Sequence, residues 1–212
     1  AKSIGPAPNP LRYERDIDLS SVSYAGYTQF TSLELLEESK NTKSQVGLWN
    51  LVQMPHGGEL IVPSYSKAEP KIYFGSIPEE DILSSDNLLI YKMRQEGEHK
   101  IGIRAVTTTG RVGYLYQTNK NWALIIRNYN VNPSGEYIDV PWKDTGHFGY
   151  STQACNVNSG LGCFSELEYH IPAIGCGTGM TRCDDQAQVW AFRGQREQIL
   201  QIARILLSPG LE

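Results

Sequence analysis

Several familiar signposts are missing from this chain of 212 residues. There is no G-x-S-x-G elbow, no phosphate-binding loop of the G-x-x-x-x-G-K-[ST] kind and no H-E-x-x-H, which removes the commonest hydrolase, nucleotide and zinc-protease signatures. No apolar run approaches the roughly 20 residues that span a bilayer. The opening AKSIGPAPNP has no hydrophobic segment of the signal-peptide kind, so a chain off the membrane is expected. Neither sign of charge dominates: 19 Lys and Arg stand against 23 Asp and Glu, for a net charge of -4. With no basic cluster either, nucleic acid is not an expected partner.

Cysteine is absent from the first 154 residues, and Cys155, Cys163, Cys176 and Cys183 then fall in one short segment. Their spacing does not match the C-x-x-C zinc patterns, so no metal site is expected. Sequential pairing, Cys155 with Cys163 and Cys176 with Cys183, would clip two local loops; reduced thiols are the alternative. Bridges would imply an oxidising, periplasmic or secreted setting.

What is present is a series of short β-forming runs. QVGLWNLVQM, GELIVPSY, PKIYFGSI, NLLIYKMRQ, HKIGIRAV, RVGYLYQT and NWALIIRNYN recur at intervals of roughly ten residues, separated by turn material such as PHGG and TTTGR. With 20 glycines and 11 prolines, the pattern is that of an all-β sandwich or barrel. The first 11 residues read as an irregular arm, and residues 12–212 as one domain. GCGTGM, at 175–180, has Met180 where a dinucleotide fingerprint needs glycine, so it reads as a tight connection between two strands; no cofactor is expected. A helix is expected over about 195–207, where Ile199, Ile202, Ala203 and Leu206 fall at helical spacing. LELLEE, after Thr31, is compatible with helix as well as strand.

The stretch GCFSELEYHI, at 162–171, carries the chemistry. In a strand, Phe164, Glu166, Glu168 and His170 share one face and Leu167, Tyr169 and Ile171 the other. Neighbours two apart lie roughly 6.5 to 7 Å from each other, a spacing that suits groups gripping different atoms of one small polar ligand. It equally suits a solvated sheet face. His56 and His147 sit in Gly-rich loops, where scaffolds place functional side chains; His99, among charged turn residues, is expected in solvent. Trp142 and Tyr150 lie in a polar segment, as a sugar-stacking aromatic would, whereas Trp49, Trp122 and Trp190 sit in strand-like runs and are expected in the core.

The order GEYIDVPWKDTGHFGYSTQACNVNSG, CFSELEYHIPAIG and QVWAFRGQREQILQIARILL resembles an uncharacterised bacterial family of galactose mutarotase-like β-sandwich proteins. The likeness extends more loosely over RYERDIDL, YTQFTSLELLEE and GLWNLVQMPHGGELIVPSY. It implies a mainly β, antiparallel sandwich of galactose mutarotase-like type with a closing helix, binding a carbohydrate or similar polyol; a monomer or weak homodimer is expected. It also implies aldose 1-epimerase-like chemistry at an anomeric carbon, with Glu168 or Glu166 as base and His147, His56 or His170 as acid. Asn158, Tyr150 and Trp142 would then line the ligand. The other classes compatible with the sequence are a structural or interaction domain and an accessory domain of a polysaccharide-degrading system.

Overall fold

The computed structural model describes residues 1–36, 43–138, 140–141 and 144–211. The described residues form two antiparallel sheets. The larger runs in the order β1 (Lys2–Pro6), β2 (Ser23–Glu34), β13 (Arg182–Gly194), β10 (Trp122–Asn128), β9 (Arg111–Gln117), β4 (Glu59–Pro63), β7 (Leu88–Lys92) and β6 (Ile82–Ser84). The smaller is β3 (Gln45–Pro55), β12 (Gly162–Gly175), β11 (Tyr150–Ser159), β8 (Gly97–Arg104) and β5 (Lys71–Phe74). Helix α1 (Arg196–Leu206) follows β13 directly.

Alternation decides which side chains meet between the sheets. Leu167, Tyr169 and Ile171 of β12 turn inward with Ile101 and Ile103 of β8 and Ala154 of β11, against Leu60, Val62, Leu89, Tyr91 and Tyr114 of the larger sheet. A polar bolt runs through this core. The Arg127 guanidinium lies 4.5 Å over the Tyr169 ring, and Tyr129 stacks on that ring at 4.4 Å. The Tyr169 hydroxyl donates to Asp185 Oδ2 (2.6 Å). Arg127 also donates to the Leu167 carbonyl (3.3 Å), so β12 is tied to β10 and β13 across the sandwich.

A second core lies on the far face of the larger sheet. Ile199, Leu200, Ile202 and Ala203 of α1 cover Leu124, Ile126, Trp190 and Phe192, and Arg111 donates to the Leu206 carbonyl at the helix end (2.7 Å). The apolar stripe of α1 is thus buried on its own sheet.

Three sequence expectations need correction. The opening arm is not irregular through its length, because Lys2–Pro6 pair with Tyr27–Thr31; prolines are tolerated there because β1 is an edge strand. His99 is buried rather than solvated, since β8 begins at Gly97 and its alternation sends His99 inward with Ile101 while Glu98 and Lys100 point out. The four thiols are all free. Cys155 pairs across with Glu166 and Cys163 with Asn158, three register steps away, a displacement of about 10 Å that exceeds the Cα span of a disulfide. The GCGTGM segment does connect two strands, β12 and β13, with left-handed backbone at Gly175, Gly177 and Gly179. Of LELLEE, Leu33 and Glu34 end β2, while Glu37 and Glu38 lie outside the described residues.

Docking of α1 has a measurable consequence. Ile202 is fully buried while Ile205 is 46% exposed. Ile202→Ala should therefore cost about 2–5 kcal/mol in chemical denaturation, and Ile205→Ala about 0.5 kcal/mol or less. Equal losses would contradict the docked helix.

Candidate functional site

Because its odd-numbered residues from Ser165 to Ile171 are committed to the core, β12 presents Phe164, Glu166, Glu168 and His170 on the outer face of the five-stranded sheet. Register then supplies their neighbours. On β3, Trp49 sits beside His170, Leu51 beside Glu168 and Gln53 beside Glu166. On β11, Gln153 pairs with Glu168 and Cys155 with Glu166, and on β8 Lys100 stands opposite Cys155.

Glu168 is the centre of the cluster and is fully buried. Its Oε2 accepts from Trp49 Nε1 (2.7 Å) and Lys100 Nζ (2.8 Å), while Oε1 has no hydrogen-bond partner among the described residues. The Lys100 ammonium also lies 5.4 Å from the centre of the Trp49 ring. Glu166, nearly buried, accepts from Gln53 Nε2 through Oε1 (2.9 Å). Burial pushes its pKa above the usual carboxylate range and the Glu168 charge adds to the rise, while the Gln53 hydrogen bond and Lys100 pull the other way. The Cys155 thiol between them is pushed up to about 12, mainly by burial and then by the two glutamates. The arrangement therefore offers a fixed anion, a second carboxyl held toward its protonated form, an ammonium, and the partly exposed Trp49 face.

The remaining candidates divide. His170 shares the face with Glu166 and Glu168 and is buried. His147 pairs with Asp144 (3.2 Å) in a 3-10 turn and touches Tyr73, as Tyr150 does. Tyr73 in turn covers Gly102, the β8 partner of Gln153, which itself pairs with Glu168, so His147 and Tyr150 flank the same sheet on its β8–β5 side, two strands from Glu168. Tyr150 reaches that side through a register shift between Tyr150 and Thr152, which sets its ring against Arg104. His56 contacts the Gln95 carbonyl (3.3 Å), whose oxygen also takes Asn156 Nδ2; it does not join the cluster. Asn158 lies on the inward row of β11 with Ala154 and Asn156, near the strand's end, so it does not join either. Trp142 lies outside the described residues.

Trp49, expected in the core, is instead 47% exposed, and with Lys100 and Gln53 it is what the sequence reading missed. The signal was the alternation of β3: Leu48, Val52 and Met54 go inward and Trp49, Leu51 and Gln53 outward. Asn50 obscured it, being a buried polar residue in the inward row that accepts from Lys2 and Gln29. Elsewhere a cleft of about 450 Å³ opens beside Asp185, lined also by Asn130, Glu136, Pro172, Met180 and Cys183. Of the described candidates only Cys183 borders it.

A two-sheet antiparallel sandwich with a closing helix and an acid-bearing sheet face defines the class of protein. The chain belongs to a family of unknown function, DUF6786, whose model matches residues 7–212. No curated protein and no solved structure matches it.

Two measurements follow from this geometry. Lys100→Met strands the buried Glu168 charge and should cost about 3–5 kcal/mol of stability; a loss under about 1 kcal/mol would mean that the pair does not hold the face together. For Glu166, a folded-state pKa above the unfolded one makes the folded state bind more protons, so its contribution falls as pH rises out of the carboxylate range. Glu166→Gln should therefore raise stability at pH 7 relative to wild type and lose that gain near pH 4. A gain independent of pH would contradict the burial of that carboxyl.

Proposed function

We propose that the outer face of the five-stranded sheet binds a carbohydrate or similar polyol, and that the chain is mutarotase-like in the sense its sequence resemblance implies. One observation carries the reading: a half-exposed indole, Trp49, stands next to charged and amide groups whose positions are fixed by one another. A pyranose has an apolar C–H face and a rim of hydroxyls. Trp49 suits the first, and Glu166, Gln53 and Lys100 suit the second. Buried hydrogen-bonding groups of this kind discriminate strongly against ligands that fail to pair with them.

The catalytic extension is interconversion at an anomeric carbon. Glu168 takes the proton of the anomeric hydroxyl and His170, on the same strand face, delivers one to the ring oxygen. The two protons must move at sites several Å apart, and neighbours two apart on a strand are about 6.5–7 Å from each other. His147 is the alternative acid, from the far side of the face. The full burial of Glu168 and the double hold on its Oε2 favour a second reading, in which the cluster is a structural anchor in a non-catalytic interaction domain.

Saturation-transfer NMR with glucose, galactose and N-acetylglucosamine separates these readings. Binding by at least one sugar is expected, with Trp49→Ala weakening it about fivefold to tenfold. No binding at millimolar sugar, or binding untouched by Trp49→Ala, would overturn the sugar reading. Polarimetry on fresh α-glucose and α-galactose tests turnover: acceleration lost in Glu168→Gln supports the epimerase extension, and a rate equal to buffer removes it.

A further inference from the structure

Cys155, Glu166 and Glu168 each offer a ligand atom, and these atoms all lie within 4.8 Å of one another. The clustering follows from register, since Cys155 and Glu166 are direct cross-strand partners and Glu168 is the next outward residue on β12. A second, independent feature points to a ligand there. Glu168 is fully buried, yet its Oε1 has no hydrogen-bond partner among the described residues, and a buried carboxylate oxygen without a donor is costly.

Among the described residues, each glutamate is also oriented by donors on one oxygen only. Gln53 holds Glu166 by Oε1, and Trp49 and Lys100 hold Glu168 by Oε2. Ligating carboxylates are ordinarily steadied by outer hydrogen bonds of this kind while the other oxygen meets the ion. We propose that Cys155, Glu166 and Glu168 form a binding site for a thiophilic divalent cation of the Zn²⁺ type, with one coordination position left open toward the sheet face.

The donor set selects the ion. A thiolate with two carboxylates suits zinc, whereas magnesium and calcium take oxygen ligands alone. Charge balances as well: three anionic ligands are offset by the divalent ion together with the neighbouring Lys100 ammonium. On binding, the Cys155 S–H bond breaks, its proton leaves to buffer, and the sulfur lone pair forms the metal bond. Three protein ligands and an open fourth position are the pattern of zinc sites that bind a water or substrate. The inference shares Glu166 and Glu168 with the sugar reading but is tested separately from it, because sugar binding can be scored with EDTA present and metal binding with no sugar.

The test uses the full chain, stripped with EDTA and titrated with Zn²⁺ against a chromogenic chelator, then with Co²⁺ in the near ultraviolet. One equivalent should bind, and Co²⁺ should give a sulfur-to-metal charge-transfer band. Cys155→Ser should abolish the band and weaken Zn²⁺ binding by at least about tenfold. The double variant Cys163→Ser, Cys176→Ser, which removes the two exposed thiols, should keep both. Should circular dichroism show Cys155→Ser unfolded, Glu166→Gln stands in, with the same loss of affinity expected. Absence of stoichiometric binding, a band that survives Cys155→Ser, a band lost with the exposed thiols, or unchanged affinity in Glu166→Gln would overturn the site.

Discussion

The seating of Tyr169 governs what the five-stranded sheet shows to solvent. Its ring is held between the Arg127 guanidinium and Tyr129, and its hydroxyl is tied to Asp185. Side chains on a strand alternate, so a slip of one residue would exchange the two faces of β12 completely. With Tyr169 fixed inward, and Leu167 and Ile171 packed beside it, Glu166, Glu168 and His170 have only the outer face left. The polar bolt inside the sandwich and the acidic row outside it are two sides of one constraint. Burial lowers the Arg127 pKa, and Tyr169, Tyr27 and Tyr129 oppose part of that fall, as neighbours that favour a buried cation do.

The outer face answers a second electrostatic problem. A fully buried carboxylate needs a cation and good hydrogen bonds to be tolerated, and Glu168 has both through Lys100 and Trp49. That pairing draws a long cationic side chain and an indole from two other strands over β12, and so builds a floor of mixed chemistry. Glu166 then feels a desolvated surrounding and a neighbouring negative charge, which separates it chemically from Glu168. Two carboxylates in unlike surroundings give one face two kinds of group, a combination that ligand sites use and that plain sheet surfaces do not need.

Much of this was legible in the sequence. The alternation of GCFSELEYHI placed the acidic row on one face, the ten-residue spacing of β-forming runs indicated the sandwich, and the helical stripe located α1 to within a residue at each end. The partners of the acidic row were not legible. Trp49 reads as core in a run of apolar residues unless Asn50 is known to be an inward, hydrogen-bonded exception. Lys100 and His99 look alike in a charged segment, and only the start of β8 at Gly97 sends one out and the other in. The outward turn of Tyr150 depends on a register shift that no composition rule announces. Cysteines close in sequence suggested bridges, but strand pairing separates what sequence brings near.

The central claim is that the Trp49–Glu168–Lys100 cluster forms the floor of a ligand site. The indole N–H of Trp49, bonded to Glu168, is its natural reporter, and the chain has only four tryptophans. The direct measurement is a ¹⁵N–¹H correlation spectrum with the Trp49 indole assigned through Trp49→Phe, recorded while the sugar panel is added in the presence of EDTA. The account predicts that a binding sugar moves the Trp49 indole signal and leaves those of Trp122 and Trp190 in place. A panel that leaves Trp49 unmoved, or that shifts Trp122 or Trp190 instead, would contradict it.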